Sequence, residues 1–172
     1  MKQIAKFEKV SFEQFKKDIE KCFDNKYKSE EDIQEIYNQI ELPTRATKGS
    51  AGYDFKCPIN LLLHKGQPIV IPTGIRAKIA EGWVLKIYPR SGMGFKYGLN
   101  LANTVGIIDS DYYNSDNEGH IMLKASHCLG EYMLPIEQGK GIAQGVFIEY
   151  GIAEDDNVSE IRNGGFGSTD KA

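Results

Sequence analysis

Pro89-Arg90-Ser91-Gly92-Met93-Gly94, then Leu99-Asn100-Leu101-Ala102-Asn103, then Gly106-Ile107-Ile108-Asp109-Ser110-Asp111-Tyr112: these pieces fall within 24 residues of a 172-residue chain. They supply an Arg-Ser-Gly turn suited to an anion, an amide, an aspartate at a glycine-flanked strand end, and an aromatic. That inventory suits a site that grips a phosphate, a base and a sugar while activating water. Outward from this stretch, short β-rich runs at residues 69–71, 83–88, 120–125 and 142–150 alternate with Gly, Pro and Asn/Asp turns. The spacing predicts an all-β sandwich or barrel, not a series of βαβ units.

The N-terminal quarter has a different texture. Residues 4–10 alternate and predict a short strand, and residues 11–40 read as helical. Ser11 followed by Gln14 matches a capping box, and Phe12, Phe15, Ile19, Cys22 and Phe23 recur at helical spacing. A second helix starts at Ser29, with Glu30, Glu31 and Asp32 in the first turn, where the helix dipole favours acids. Ile33, Ile36, Tyr37 and Ile40 give it one apolar face. Both stripes are too apolar to leave in water and too short to be stable alone. They predict a peripheral helical hairpin docked on the β core, with no catalytic role.

Bulk properties narrow the class. The length predicts one domain over residues 1–172, and 41% hydrophobic residues suffice for its core. The apolar run at residues 59–63 is broken at once by His64-Lys65-Gly66, so no bilayer span and no membrane partner are expected. Met1-Lys2-Gln3 opens no signal peptide. The three widely spaced cysteines, Cys22, Cys57 and Cys128, read as reduced thiols of a cytoplasmic protein. A net charge of −3 argues against direct nucleic-acid binding. A nucleoside triphosphate would need local positive charge, for which Arg90 and Arg162, both beside glycines, are the candidates. His120, His127 and Cys128 match no zinc spacing, and His64 reads as a solvated turn residue.

The order and spacing of these segments, with Gly165-Phe166-Gly167-Ser168-Thr169 near the C-terminus, resemble the trimeric dUTPase family over about residues 42–169. The resemblance implies a jelly-roll or β-clip barrel in which 11–40 is a helical insertion and 162–172 a flexible arm. It implies hydrolysis of dUTP to dUMP and pyrophosphate with Mg2+, in a homotrimer whose sites are shared between subunits. In the first motif, Ala51-Gly52-Tyr53-Asp54, Asp54 would order the water shell of a phosphate-bound Mg2+, an ion that keeps several waters. In the second, Arg90, Ser91 and Gly92 would hold phosphate through guanidinium, hydroxyl and backbone N–H. In the third, Asn103 and backbone groups near Ile107 and Met122 would pair with the uracil edge. Asp109 would contact the sugar 3′-OH and polarise the attacking water, and Tyr112 would pack on deoxyribose, leaving no room for a 2′-OH. Gln144 of the fourth motif would reach the phosphates. In the fifth, Arg162, Gly167, Ser168 and Thr169 would wrap the triphosphate while Phe166 stacks on uracil.

The chain departs from the family pattern in several places. Lys140-Gly141 stands where an acidic and a basic residue usually precede Ile-Ala-Gln, which removes a structural ion pair. Asn163 and Asp170 replace usual glycines, and the spacing from Arg162 to Phe166 is one residue short. Residues 113–118 are an insertion, expected as a longer surface loop near the site. dCTP deaminase shares this fold, but its chemistry needs a glutamate where this chain has Lys124, which argues against deamination. A nucleotide-sensing regulatory protein is the alternative from another class, and phage-type members imply a repressor as its partner.

Overall fold

The structure, a computed structural model, describes residues 2–23 and 29–160. Strand β1 (Ala5–Lys9) is followed by helices α1 (Phe12–Phe23) and α2 (Glu30–Gln39). Six strands come next: β2 (Thr44–Arg45), β3 (Tyr53–Lys56), β4 (Leu61–His64), β5 (Ile69–Pro72), β6 (Ile75–Ile79) and β7 (Trp83–Pro89). A short helix α3 (Ser91–Tyr97) precedes β8 (Asn100–Leu101) and β9 (Gly106–Ile108). A 3-10 turn (Ser110–Asn114) then leads to β10 (Met122–Ser126), β11 (Met133–Ile136) and β12 (Gly141–Glu149). The all-β expectation holds, with the helices confined to short segments.

The central sheet runs β2-β3-β12-β7-β9, flanked by a three-stranded sheet, β5-β10-β8, and the pairs β1-β6 and β11-β4. Every one of these pairings is antiparallel. Alternation of side chains along the strands delivers Phe55, Leu85, Ile87, Ile71, Ile136 and Ile142 to one buried core.

The two helices pack on each other, and α1 also lies against β5. Phe15 and Ile19 are fully buried, and Ile33 and Ile40 join the same core cluster. Each such side chain contributes about 1.5–3 kcal/mol of burial, which offsets the poor intrinsic stability of short helices. Gly74 makes the docking possible. Its φ is +73°, and a Cβ there would collide with Ile40 Cδ1 and lie 3.3 Å from Phe15 Cδ2. The sequence Pro72-Thr73-Gly74 thus forms the seat for the hairpin.

Several local readings change. Ser11 caps α1, its Oγ accepting from the Gln14 N–H at 3.1 Å, but the box is not closed by Gln14. The Gln14 side chain turns to Asp18, and Glu118 from far along the chain binds Ser11 instead. The segment Arg90-Ser91-Gly92 is not a turn: Ser91 opens α3, with Arg90 at the N-cap position. His64 is not a solvated turn residue either. It ends β4 opposite Met133, its ring 5.7 Å from that of Tyr132. Residues 113–118 form a surface loop that is tied down: Asn114 and Asp116 are exposed, Ser115 is buried, and Tyr113 and Glu118 are bonded to Glu8 and Ser11.

Candidate active site

The central sheet places the first, second and fourth motifs side by side. Strand β12 pairs with β3 on one side and β7 on the other, so Gln144 opposes both Asp54 and Tyr88. Arg90 follows at the end of β7, and its Nε lies 3.2 Å from Asp54 Oδ1 in an ion pair. The Gln144 amide Nε2 donates to the Pro89 carbonyl at 3.3 Å, tying β12 to the turn into α3. This corner therefore holds a guanidinium, a carboxylate, an amide and the Ser91 hydroxyl at one sheet end.

Lys140-Gly141, the departure from the family pattern, has a physical consequence here. A Cβ on Gly141 would lie 2.5 Å from Arg90 Nη1 and 3.0 Å from its Cδ. The absent side chain leaves the space in which the Arg90 guanidinium lies against β12. Nothing in the sequence pattern alone announces that contact.

A second group of motif residues surrounds a cavity of about 590 Å³ between β7, β9, β8 and β10. Asn103, Ile107, Tyr112 and Met122, four of the positions tied to the nucleoside by resemblance, all line it. Ile87 and Leu101 supply apolar walls that the motif reading did not single out, although their strand alternation could have found them, and Val105 adds another from the turn before β9. Lys124 stands at the rim. Asn103 sits in a tight turn in which the Val105 N–H donates to the Asn103 carbonyl at 2.6 Å. Between them Thr104 adopts φ +64°, an uncommon conformation for a β-branched residue. Strain of this kind costs about 1–3 kcal/mol and gathers at functional sites.

Tyr112 is buried, and its hydroxyl donates to the His120 carbonyl at 2.8 Å. Its ring is thereby fixed as a cavity wall. Asp109 directly follows β9 and begins the 3-10 turn. It lines the next concavity, with Lys78, Asp111 and Tyr113, two residues on from Ile107 in the wall of the first cavity. Arg162, Phe166, Gly167, Ser168 and Thr169 lie outside the described residues.

The other candidate ligands have structural partners. His120 Nδ1 meets Asp18, and His127 lies between the carbonyls of Leu63 and Leu129. All three cysteines are free. Burial pushes the Cys57 thiol up to about 11, while a bond to the Ile59 carbonyl pulls the other way. Among the described residues no helix is long and apolar enough to cross a membrane.

Comparison with known proteins gives this geometry its context. The dUTPase family model matches residues 38–170. The deoxyuridine 5′-triphosphate nucleotidohydrolase of Lactococcus lactis is 43% identical over 133 residues, covering 76% of this chain and 88% of that protein. The crystal structure of the Streptococcus mutans dUTPase superposes with a TM-score of 0.60 at 37% identity, over 66% of this chain and 88% of that one. A Staphylococcus bacteriophage 80alpha dUTPase variant with dUpNHpp shares the fold at 19% identity and TM-score 0.62, over 92% of this chain and 98% of its own. By the span of the family model, the identity to these bacterial relatives and the shared jelly-roll fold, the chain belongs to the dUTPase family.

Proposed function

We propose that this chain hydrolyses dUTP to dUMP and pyrophosphate, as an enzyme of nucleotide metabolism, by in-line attack of water on the α-phosphorus. The observation that carries the reading is the single cavity that gathers Asn103, Ile107, Tyr112 and Met122, with Asp109 at the end of the strand forming its wall. Asn103 and the backbone around Ile107 and Met122 hold the uracil edge, and Tyr112 closes the space beside the sugar. A pocket that hydrogen-bonds a base edge rejects cytosine by leaving polar groups unpaired and rejects thymine by lack of room. Lys124 at the cavity rim cannot perform the carboxylate proton transfer of a deaminase, which favours hydrolysis.

Asp109 positions and polarises the water, while Arg90, Ser91 and Gln144 hold phosphate oxygens. Phosphoryl chemistry of this type depends on positioning and charge stabilisation more than on a strong base. Asp54 is a partly exposed carboxylate beside Arg90, which suits an outer-sphere contact to the hydrated Mg2+ that accompanies a triphosphate. When bound, Mg2+ neutralises charge across the three phosphates. Arg162, Gly167, Ser168 and Thr169 complete the phosphate grip and Phe166 covers the base. Strand β7 reaches both places, through Ile87 and through Arg90 just past its end, but Arg90, Asp54 and Gln144 do not line the cavity. A homotrimer that joins the corner of one subunit to the cavity of another accounts for this separation.

Replacing Asp109 by Asn tests the assignment. An amide keeps the shape and loses the charge that polarises water, so dUTP binding persists while most turnover disappears. Near-normal turnover with intact binding would remove Asp109 from the mechanism.

A further inference from the structure

The Tyr112 anchor does not end at the His120 carbonyl. His120 is fully buried, and its Nε2 accepts the Gly74 N–H at 2.7 Å, so Nε2 carries no proton. The ring proton is therefore on Nδ1, which donates to Asp18 Oδ2 at 2.6 Å. Asp18 lies on α1, and the same oxygen accepts from Gln14 Nε2 at 2.8 Å. A second tie joins the same helix to the same loop. The Ser11 N–H and hydroxyl donate to the two Glu118 carboxylate oxygens at 2.7 and 2.6 Å. Glu118 is held at φ +57°, a left-handed conformation that an unanchored glutamate would leave. Between the two ties, Asn117 Nδ2 donates to the Tyr112 hydroxyl at 2.8 Å.

From these contacts we infer that α1 is a positioning element of the nucleoside pocket. Through Asp18–His120 and Ser11–Glu118 it fixes residues 117–120, and through them the ring of Tyr112, so that it sets the discrimination between deoxyribose and ribose. The inference rests on the reading of Tyr112 as the wall against the sugar. It replaces the expectation that the helical hairpin has no bearing on the reaction. Asp18 and His120 touch no substrate; they act through Tyr112. The segment around Tyr112 is also tied to the β core: the Ile121 N–H bonds to the Ile75 carbonyl at 2.9 Å, the Thr73 hydroxyl donates to the Ile121 carbonyl at 2.7 Å, and the Tyr113 hydroxyl donates to Glu8 at 2.6 Å. A purely structural helix would leave Tyr112 held by those contacts.

The test compares kcat/KM for dUTP and for UTP in the full-length protein, Asp18→Ala and Tyr112→Ala, with thermal stability and oligomeric state measured alongside. Asp18→Ala is expected to lower the dUTP-to-UTP preference by about 2- to 10-fold, the range that one lost hydrogen bond carries. Tyr112→Ala lowers it further. If Tyr112→Ala leaves the preference intact, the reading of Tyr112 falls and the inference with it. If Tyr112→Ala relaxes the preference and a folded Asp18→Ala does not, the positioning role alone is overturned. Should Asp18→Ala fail to fold, Glu118→Ala cuts the second tie and is judged by the same ratio.

Discussion

Gly141→Ala is the perturbation whose consequence can be worked most directly from the structure. The backbone φ of Gly141 lies outside the left-handed region, so alanine introduces no conformational strain. Its Cβ, however, would sit 2.5, 3.0 and 3.2 Å from Nη1, Cδ and Cζ of Arg90. All three are inside ordinary contact distance, so the guanidinium has to leave β12. The Arg90 side chain is 41% exposed and can swing into water. Its ion pair with Asp54 is of the partly solvated kind worth about 0.2–1 kcal/mol, so Tm should fall by no more than about 4 °C. Catalysis should suffer far more. Displacing a charge-assisted contact to phosphate costs about 1.5–3 kcal/mol, which is about a 10- to 150-fold loss in kcat/KM. Pyrophosphate release measured beside a thermal melt separates the two effects. In an Arg90→Ala background the second substitution should add little, because both remove the same interaction. Unchanged kcat/KM in Gly141→Ala, or a fully additive loss in the double variant, would refute the reasoning.

Two further outcomes follow from the helical hairpin. Gly74→Ala combines a left-handed φ with a collision against Ile40 Cδ1 and Phe15, and should destabilise the fold by about 2–4 kcal/mol in urea titration; a change below about 0.5 kcal/mol would mean that the hairpin is not seated on Gly74. Burial of Asp18 raises its pKa, but bonds from His120 and Gln14 outweigh that and hold it below the ordinary 3.8. Its contribution is therefore present above the unfolded-state value and lost as pH falls through the lower folded one. The Tm difference between wild type and Asp18→Ala, open at pH 6, should close as pH drops below about 4; a gap that persists at pH 2 would contradict this.

Much of the fold was legible because its signals are local. The stripes Phe12/Phe15/Ile19 and Ile33/Ile36/Tyr37 have helical period, and α1 and α2 formed within them. The long strands β7 and β12 carry β-rich runs that declare themselves. What was missed depends on distant partners. Helix α3 contains Gly92 and Gly94, poor helix formers, and is held by the buried Met93 and a left-handed Gly98 cap. Strand β4 extends through His64 because β11, some seventy residues on, pairs with it. Residues 113–118 read as an inserted loop against the family pattern, yet Tyr113 reaches Glu8 and Glu118 reaches Ser11 across more than a hundred residues. In the candidate site, motif order singled out Asn103, Ile107, Tyr112 and Met122, which line one cavity. The roles of Gly141 beside Arg90 and of His120 behind Tyr112 were not legible, since each is a contact between segments far apart in sequence.

The central claim is the choice of substrate, and a comparison of pyrophosphate release from dUTP, dTTP, dCTP and UTP in the presence of Mg2+ tests it most directly. The account predicts efficient release from dUTP and strong discrimination against the other three, with the 5-methyl group, the cytosine edge and the 2′-OH each rejected by the cavity around Asn103, Met122 and Tyr112. Comparable hydrolysis of dCTP and dUTP, or no pyrophosphate from dUTP, would contradict it.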